Sequence, residues 1–159
     1  MTLVELMIVM VVIGIAFGLA MPMIGDSKEL RLREAARMLA ADIEFAQNES
    51  IAHPDNLRII QFNTSTEEYR ITSVNASPAN TPITDPARNA PFLMQYGTGR
   101  AEAFAGVDIQ SVSLGGDNQL IFNAYGSPDQ STTATITLAA GAETLTVQVA
   151  PGSGEVTIP

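Results

Sequence analysis

Glu5 is the only carboxylate inside a long apolar segment near the beginning of the chain. Residues 6–25 carry no charged side chain, and most of them are large and apolar. An ionised carboxylate in such a segment costs about 3 kcal/mol at the centre of a bilayer and less near an interface. Two interpretations remain open: Glu5 lies at a membrane surface, or it pairs with a cation in an apolar assembly. The nearest cations would be its own α-amino group and that of a neighbouring copy.

Catalytic and metal-binding chemistry finds little support elsewhere in the sequence. The chain has no cysteine, which excludes disulfides, thiolate metal sites and a cysteine nucleophile. Its single histidine, His53, precedes a proline, and no nucleophile elbow, P-loop or dinucleotide-binding motif occurs. The segment 116–118, Gly-Asp-Asn, is explained better by a turn than by a calcium site. We therefore predict a protein that is not an enzyme and holds no metal or cofactor.

Negative charge is concentrated in the later part of the chain. The formal net charge is -9, yet residues 1–38 contain four acids and four bases. From residue 39 onward there are thirteen acids against four arginines, and no base follows Arg100. Such a surface repels phosphate backbones and keeps a secreted domain in solution. Binding to nucleic acid is therefore not expected.

The element that carries Glu5 can be predicted from the apolar run. As a helix, its 20 residues would be about 30 Å long, enough to cross the core of a bilayer, and apolar on every face. A cleaved secretory signal fits poorly, because no basic residue precedes the run and no small-residue cleavage site clearly follows it. We predict a hydrophobic transmembrane or filament-core helix over residues 1–25.

An amphipathic helix is predicted over residues 26–53. Apolar residues recur there with the spacing of one helical face, and His53-Pro54 ends the pattern because the residue before proline disfavours helix. The apolar stripe consists of Leu32, Ala35, Ala36, Leu39, Ala40, Ile43 and Ala46, flanked by Phe45 and Ile51. Both segments read as halves of one helix of about 50 residues. The second half is expected to pack as plain core against a globular head.

From residue 54 onward the hydrophobic period changes to two, which is typical of β-strands. Segments 57–63 and 68–74 predict a hairpin, and the Pro-, Asn- and Thr-rich segment 75–91 predicts a long loop. Further strands are predicted over 92–96, 107–114, 119–124, 132–138, 143–149 and 155–158. The predicted fold is α+β: a long N-terminal helix packed on an antiparallel β-sheet head domain over residues 54–159.

The first nine residues, MTLVELMIV, resemble the mature N-terminus of type IV pilins and type II secretion pseudopilins. In that family a prepilin peptidase removes a leader and methylates the new N-terminal residue. The resemblance implies that Met1 is this processed, methylated residue. It also implies that Glu5 serves subunit assembly by neutralising an N-terminal amine, and that an inner-membrane assembly platform is a partner.

Three helix-weakening residues lie in the same segment: Gly14, Gly18 and Pro22. Inside a helix, glycine costs about 1 kcal/mol relative to alanine, and proline about 3 kcal/mol. Membrane helices tolerate both residues, so they need no special explanation by themselves. The resemblance implies more, because this part of the helix often becomes extended in assembled pili.

The later part of the chain resembles the GspH/FimT-type pilin domain. The resemblance is carried by the segment LIFNAYGSP at 120–128 and by the glycine turn and closing strand at 152–158. Gln47 stands where that family often has an arginine. Some members bind DNA through a basic C-terminal turn, but here Gly154 is followed by Glu155 and no downstream base. This departure argues against DNA binding.

These observations predict a structural subunit of a type IV pilus-like filament that polymerises through its N-terminal helix. It would reside in the inner membrane and then in an extracellular pilus or periplasmic pseudopilus, as a homo-oligomer in a helical filament. One alternative is a minor GspH/FimT-type pseudopilin of a type II secretion system. Another is a membrane-tethered β-domain binding protein that never polymerises.

Overall fold

The computed structural model of the protein describes residues 2–20 and 27–159. Within these ranges it contains two α-helices, α1 (Leu3–Ala20) and α2 (Ser27–Ala52). The predicted single helix of about 50 residues would join them through residues 21–26. Those residues, which include Pro22, lie outside the described ranges, as does Met1, so the continuity of the helix stays a prediction.

The first helix, α1, exposes apolar side chains on every side. From Leu3 to Ile15 the large apolar side chains are all exposed, with exposed fractions between 47% and 77%. This agrees with the apolar character of every helical face in the sequence. Within residues 2–20 and 27–159, no helix is both long and apolar enough to span a membrane.

The second helix, α2, buries the predicted stripe. Six of its seven members are buried: Leu32, Ala35, Ala36, Leu39, Ile43 and Ala46. On the outer face, Arg33 pairs with Glu29 at 2.7 Å, an i,i+4 pair. The helix ends at Ala52, directly before His53-Pro54, as predicted. Ile51, which was placed beside the stripe, is instead exposed.

Two four-stranded antiparallel sheets and one small ribbon form the rest of the described chain. The first sheet has the order β5-β2-β1-β7 and the second the order β10-β9-β8-β6, while β3 pairs with β4. Their bounds are β1 Arg58–Asn63, β2 Glu68–Ser73, β3 Thr84–Asp85, β4 Ala90–Pro91, β5 Leu93–Gln95, β6 Asp108–Ser113, β7 Gln119–Ile121, β8 Ala134–Ala140, β9 Glu143–Val149 and β10 Val156–Thr157. The α+β prediction is confirmed.

The hairpin β1–β2 and the later strands lie close to their predicted positions. One local prediction was wrong, and one element was not predicted. The segment 75–91 is not entirely loop, because Asp85 organises a turn that pairs β3 with β4: its side chain accepts a hydrogen bond from Ala87 N and its carbonyl one from Asn89 N. The segment after β5 forms an unpredicted 3-10 helix, Gly99–Phe104.

The core lies between α2 and the two sheets. The helix contacts β1 of the first sheet and β8, β9 and β10 of the second. Aromatic rings fill the space near the 3-10 helix, with Phe45 stacked on Phe92 at 5.3 Å between centroids and Tyr69 edge-on to Tyr96 at 6.3 Å. The 3-10 helix itself contacts both α2 and β5. This packing fixes α2 relative to the loops that surround its C-terminal end.

Candidate assembly interface

Glu5 takes part in a capping box at the start of α1. The Thr2 backbone N–H donates to Glu5 Oε2 at 3.3 Å, and the Glu5 backbone N–H lies 3.4 Å from Thr2 Oγ1. Thr2 precedes the first helical residue and Glu5 is the third, which are the positions that such a box requires. The motif Thr-x-x-Glu is visible in the sequence, but we did not predict this role. The carboxylate is exposed, so these bonds leave it accessible to a cation.

Gly14 and Gly18 both lie inside α1, and the structure describes them as helical. A Cβ atom added at Gly14 would meet nothing within 4 Å. Close packing within the described chain therefore does not require glycine at this position. Extension of this part of the helix in a filament stays a prediction, and Pro22 lies outside the described residues.

A buried ion pair connects α2 to the 3-10 helix. Arg100 donates two hydrogen bonds to the Asp42 carboxylate, from Nη2 to Oδ1 at 2.7 Å and from Nη1 to Oδ2 at 3.0 Å. Tyr69 on β2 donates its hydroxyl to Asp42 Oδ2 at 2.7 Å. The guanidinium also lies over the Phe92 ring, 5.1 Å from its centroid. One carboxylate thus ties three elements together.

Burial dominates the electrostatics of this cluster. It raises the pKa of Asp42 above its ordinary value, although the hydrogen bonds from Arg100 and Tyr69 act in the opposite direction. Burial also raises the pKa of the Tyr69 and Tyr96 hydroxyls, and the negative charge of Asp42 adds to both effects. For Arg100, burial lowers the pKa, but the bonds and charge of Asp42 outweigh it and the net shift is upward. The cluster joins α2, β2 and the 3-10 helix through one buried carboxylate.

The prediction that the second helix half is plain core was therefore incomplete. Asp42 falls three residues after Leu39 and is as buried as the stripe around it. A carboxylate on an apolar face indicates a buried partner. Its sequence position could have revealed the need for a cation, but not that the cation is Arg100, 58 residues later.

Gln47 connects the C-terminal part of α2 to two glycine turns. Its Nε2 donates to the carbonyl of Gly126 at 2.7 Å and to that of Ser153 at 3.0 Å. A Cβ atom at Gly154 would collide with Gln47 Nε2 and with the Gly126 carbonyl, and the φ of Gly154 is +72°. Glycine is required here both by conformation and by space. At the position where the resembling family often has an arginine, the side-chain amide of Gln47 thus makes specific contacts with both turns.

The other predicted features have ordinary structural explanations. Asp117 Oδ1 accepts a hydrogen bond from Gln119 N, as in an Asx-type turn. Among the residues that the structure describes, no three His, Asp or Glu side chains are grouped as metal ligands would be. His53 is exposed and lies beside Glu49 at 3.3 Å.

Comparison with known families decides the classification of this head. The family profile described as type II transport protein GspH matches residues 35–153. The chain belongs to the GspH family. The matched segment includes most of α2 and the strands from β1 to β9. The predicted resemblance to pilins and pseudopilins with a GspH/FimT-like domain is confirmed.

The GspH-family chain is also similar in fold to a solved pilin. Two crystal structures of the type IV minor pilin FimU from Pseudomonas aeruginosa strain PAO1, in space groups P65 and P21, match it with TM-scores of 0.53 and 0.54. The sequences are 16% and 18% identical over 80% and 84% of this chain and 92% and 91% of FimU. At that identity the likeness establishes the fold. No curated protein gives a significant match to the chain.

Proposed function

We propose that this chain is a structural, non-enzymatic subunit of a type IV pilus-like or pseudopilus filament and that it joins the filament through α1. The observation that carries the proposal is Glu5, a carboxylate on an otherwise apolar, exposed helix, in a chain whose head belongs to the GspH family. The family and the FimU likeness favour a minor subunit that adds to a filament together with related chains.

The exposed surface of α1 supports this role. Large apolar side chains on all sides of a helix are unfavourable in water and call for cover by lipid or by other apolar helices. In sequence the apolar run continues to Gly25, beyond the last described residue of α1. In this proposal the chain resides in the inner membrane before assembly, and α1 then enters the core of a helix bundle.

Glu5 would act as the register device within that bundle. Its bond to Thr2 N is long, at 3.3 Å, and the donor is a neutral amide. A protonated N-terminal amine of a neighbouring copy would make a shorter, charge-assisted bond of about 2.8 Å, roughly twice as strong. The carboxylate can therefore exchange its local partner for an intermolecular one when a subunit docks at the correct axial step.

Processing at Met1 belongs to the same proposal. A prepilin peptidase would expose and methylate this residue, and an inner-membrane platform would extract the subunit from lipid. Gly14, Gly18 and Pro22 would allow the helix to extend under load. Because the head carries the negative excess and lacks a basic terminal turn, nucleic acid is not a proposed partner.

Mass spectrometry of filaments sheared from cells tests this function. Detection of the chain in the filament fraction, with Met1 carrying one N-methyl group, is the expected result. Recovery of the chain only from membranes, with an unprocessed terminus, would contradict it and favour the membrane-tethered alternative. Whether the filament is a surface pilus or a periplasmic pseudopilus follows from electron microscopy of the same preparation.

A further inference from the structure

The first sheet carries a row of polar side chains across three of its strands. Gln61 on β1 lies opposite Arg70 on β2 and opposite Gln119 on β7. Residues directly opposite each other in neighbouring strands share one face of a sheet, and their neighbours in sequence share the other. Ile60 and Leu120, two of these neighbours, are fully buried in the core. The polar row therefore lies on the face of the sheet that is turned away from the core.

This row lines an open cavity of about 250 Å³. Five of the residues that line the cavity carry a side-chain amide: Gln61, Asn63, Asn80, Asn118 and Gln119. Each such amide offers two N–H donors and a carbonyl oxygen that accepts hydrogen bonds. The cavity is thus lined mainly by neutral groups that both donate and accept.

Hydrogen bonds within the chain hold several of these amides in place. Gln61 Nε2 donates to Asn80 Oδ1 at 2.6 Å, which ties β1 to the segment between β2 and β3. Asn63 Oδ1 accepts hydrogen bonds from the backbone N–H groups of Ser65 at 3.0 Å and Thr66 at 3.3 Å. Side chains that are positioned before a ligand arrives lose less conformational entropy when it binds.

The amides keep bonding capacity for a ligand. The bond between Gln61 and Asn80 leaves Gln61 Oε1 and Asn80 Nδ2 to solvent or to a ligand. Within residues 2–20 and 27–159, the side-chain amides of Asn118 and Gln119 make no hydrogen bond. A ligand hydroxyl can replace the water at each of these groups, because a hydroxyl both donates and accepts.

The charges at the cavity favour a neutral ligand. Among its lining residues Arg70 and Asp117 are charged, with opposite signs. Arg70 is already paired with Glu68 at 2.6 Å, and Asp117 Oδ1 accepts a hydrogen bond from Gln119 N. A phosphate or carboxylate would therefore meet no unpaired cation among these lining residues. An apolar group would leave the amides without partners, which is unfavourable.

We infer that this cavity binds one sugar ring of a neutral saccharide through its hydroxyl groups. The volume is below the range of about 300–1,000 Å³ that is typical of sites for drug-sized ligands, so one small unit fits rather than an oligosaccharide. Phe62 is the aromatic lining residue, and its side chain belongs to the core. Hydrogen bonds rather than ring stacking then carry the binding, and we expect a dissociation constant of about 1 mM. Such binding needs no polymerisation, so the inference goes beyond the proposed function and does not depend on it.

Nuclear magnetic resonance of the full chain, labelled with nitrogen-15, tests this site. The chain is held in micelles of dodecylphosphocholine, a detergent without a sugar headgroup. It is titrated with the methyl glycosides of glucose, galactose, mannose and N-acetylglucosamine, and separately with inorganic phosphate. We expect saturable shifts of the side-chain amide signals of Gln61, Asn80 and Gln119 with at least one glycoside, and none with phosphate. No saturable shift with any glycoside, or an equal response to phosphate, would overturn the inference.

Matched variants connect the shifts to the cavity. Gln119→Leu removes an amide at similar size and should weaken glycoside binding about tenfold or more. Asn80→Gly should do the same, since glycine readily adopts the φ of +66° at this position. Gln110→Leu, at an exposed position of β6 in the other sheet, is the control and should bind normally. Unchanged backbone signals in β8 show that each variant is folded.

The outcomes separate this site from the filament function. Unchanged affinity in both Gln119→Leu and Asn80→Gly, or an equal loss in Gln110→Leu, would overturn the sugar site. Entry of the same variants into sheared filaments should stay normal, because the cavity lies on the head and not on α1. Failure of glycoside binding therefore leaves the proposed function intact.

Discussion

Asp42 on α2 and Arg100 in the 3-10 helix form a two-bond ion pair at 2.7 and 3.0 Å, with the carboxylate almost completely buried. Removing the cation would leave that carboxylate with the Tyr69 hydroxyl as its remaining partner among the contacts described above. The pair is therefore one of the contacts that join the segment after β5 to the helix. Because burial raises the pKa of Asp42, the contribution of this pair to the free energy of unfolding depends on pH.

Arg100→Met should lower the free energy of unfolding by about 3 kcal/mol at pH 7, because an unpaired buried charge remains. In the native protein the pKa of Asp42 is already raised by burial, so stability from this group is full below about pH 4 and declines as the pH rises through the folded pKa. Without Arg100 that pKa rises further. The deficit of the variant should therefore shrink towards pH 4, as urea unfolding at both pH values can measure.

Arg88→Met is the control for that experiment. Arg88 is an exposed arginine in the neighbouring β3–β4 turn. Its substitution should change the free energy of unfolding by about 0.5 kcal/mol or less. A deficit for Arg100→Met that stays constant between pH 4 and pH 7 would contradict the assigned role of Asp42.

Gly154→Ala should destabilise the head more than Gly152→Ala. Both glycines have positive φ, +72° and +82°, so both variants carry a backbone penalty of about 1–3 kcal/mol. Only at Gly154 does the new Cβ also collide with Gln47 and the Gly126 carbonyl, whereas at Gly152 it meets nothing within 4 Å. The difference between the melting temperatures of the two variants measures the effect of the collision at Gly154. Equal losses would show that the Gln47 contact is not tight.

Gln47→Ala should loosen the two glycine turns while leaving the core intact. The substitution removes two hydrogen bonds, at about 1 kcal/mol each. Amide exchange at Gly126 and Gly154 should become faster, and exchange in β8 should not change. Asn48→Ala, at an exposed position of the same helix, is the matched control. Unchanged exchange at both glycines would contradict the role of Gln47.

Gly14→Ala should stabilise α1 by about 1 kcal/mol, since no atom lies where the new Cβ would be. If extension of this segment lets the filament stretch, the variant filament should need a larger force to extend. Force–extension curves of single filaments measure this. Identical curves for the variant and the unsubstituted filament would argue against a mechanical role of Gly14.

Local sequence patterns were sufficient to predict the helices and strands whose formation depends on residues close together in the chain. The stripe from Leu32 to Ala46 and the β1–β2 hairpin follow from periods of 3.6 and 2, which report the face that is buried. The turn at Asp85 and the 3-10 helix were missed because their hydrogen bonds and ring contacts involve few residues and no clear period.

Contacts between distant residues could not be predicted in the same way. Asp42 with Arg100, Gln47 with Gly126, and Ile51 beside Gly126 each join residues at least 58 positions apart. Their pairing is decided by how the sheets pack against α2. The capping box of Glu5, in contrast, follows from a local pattern, because Thr2 stands three residues before it.

The most direct measurement of the central claim compares Glu5→Gln with Thr2→Ala in the full chain, by the amount of each variant in sheared filaments. Thr2→Ala removes the cap, worth about 1 kcal/mol, but keeps the carboxylate for a neighbouring amine. Glu5→Gln keeps a side chain able to cap the helix but removes the charge. Our account predicts that Thr2→Ala enters filaments nearly normally and that Glu5→Gln remains in the membrane. Normal entry of Glu5→Gln, or an equal loss in both variants, would contradict it.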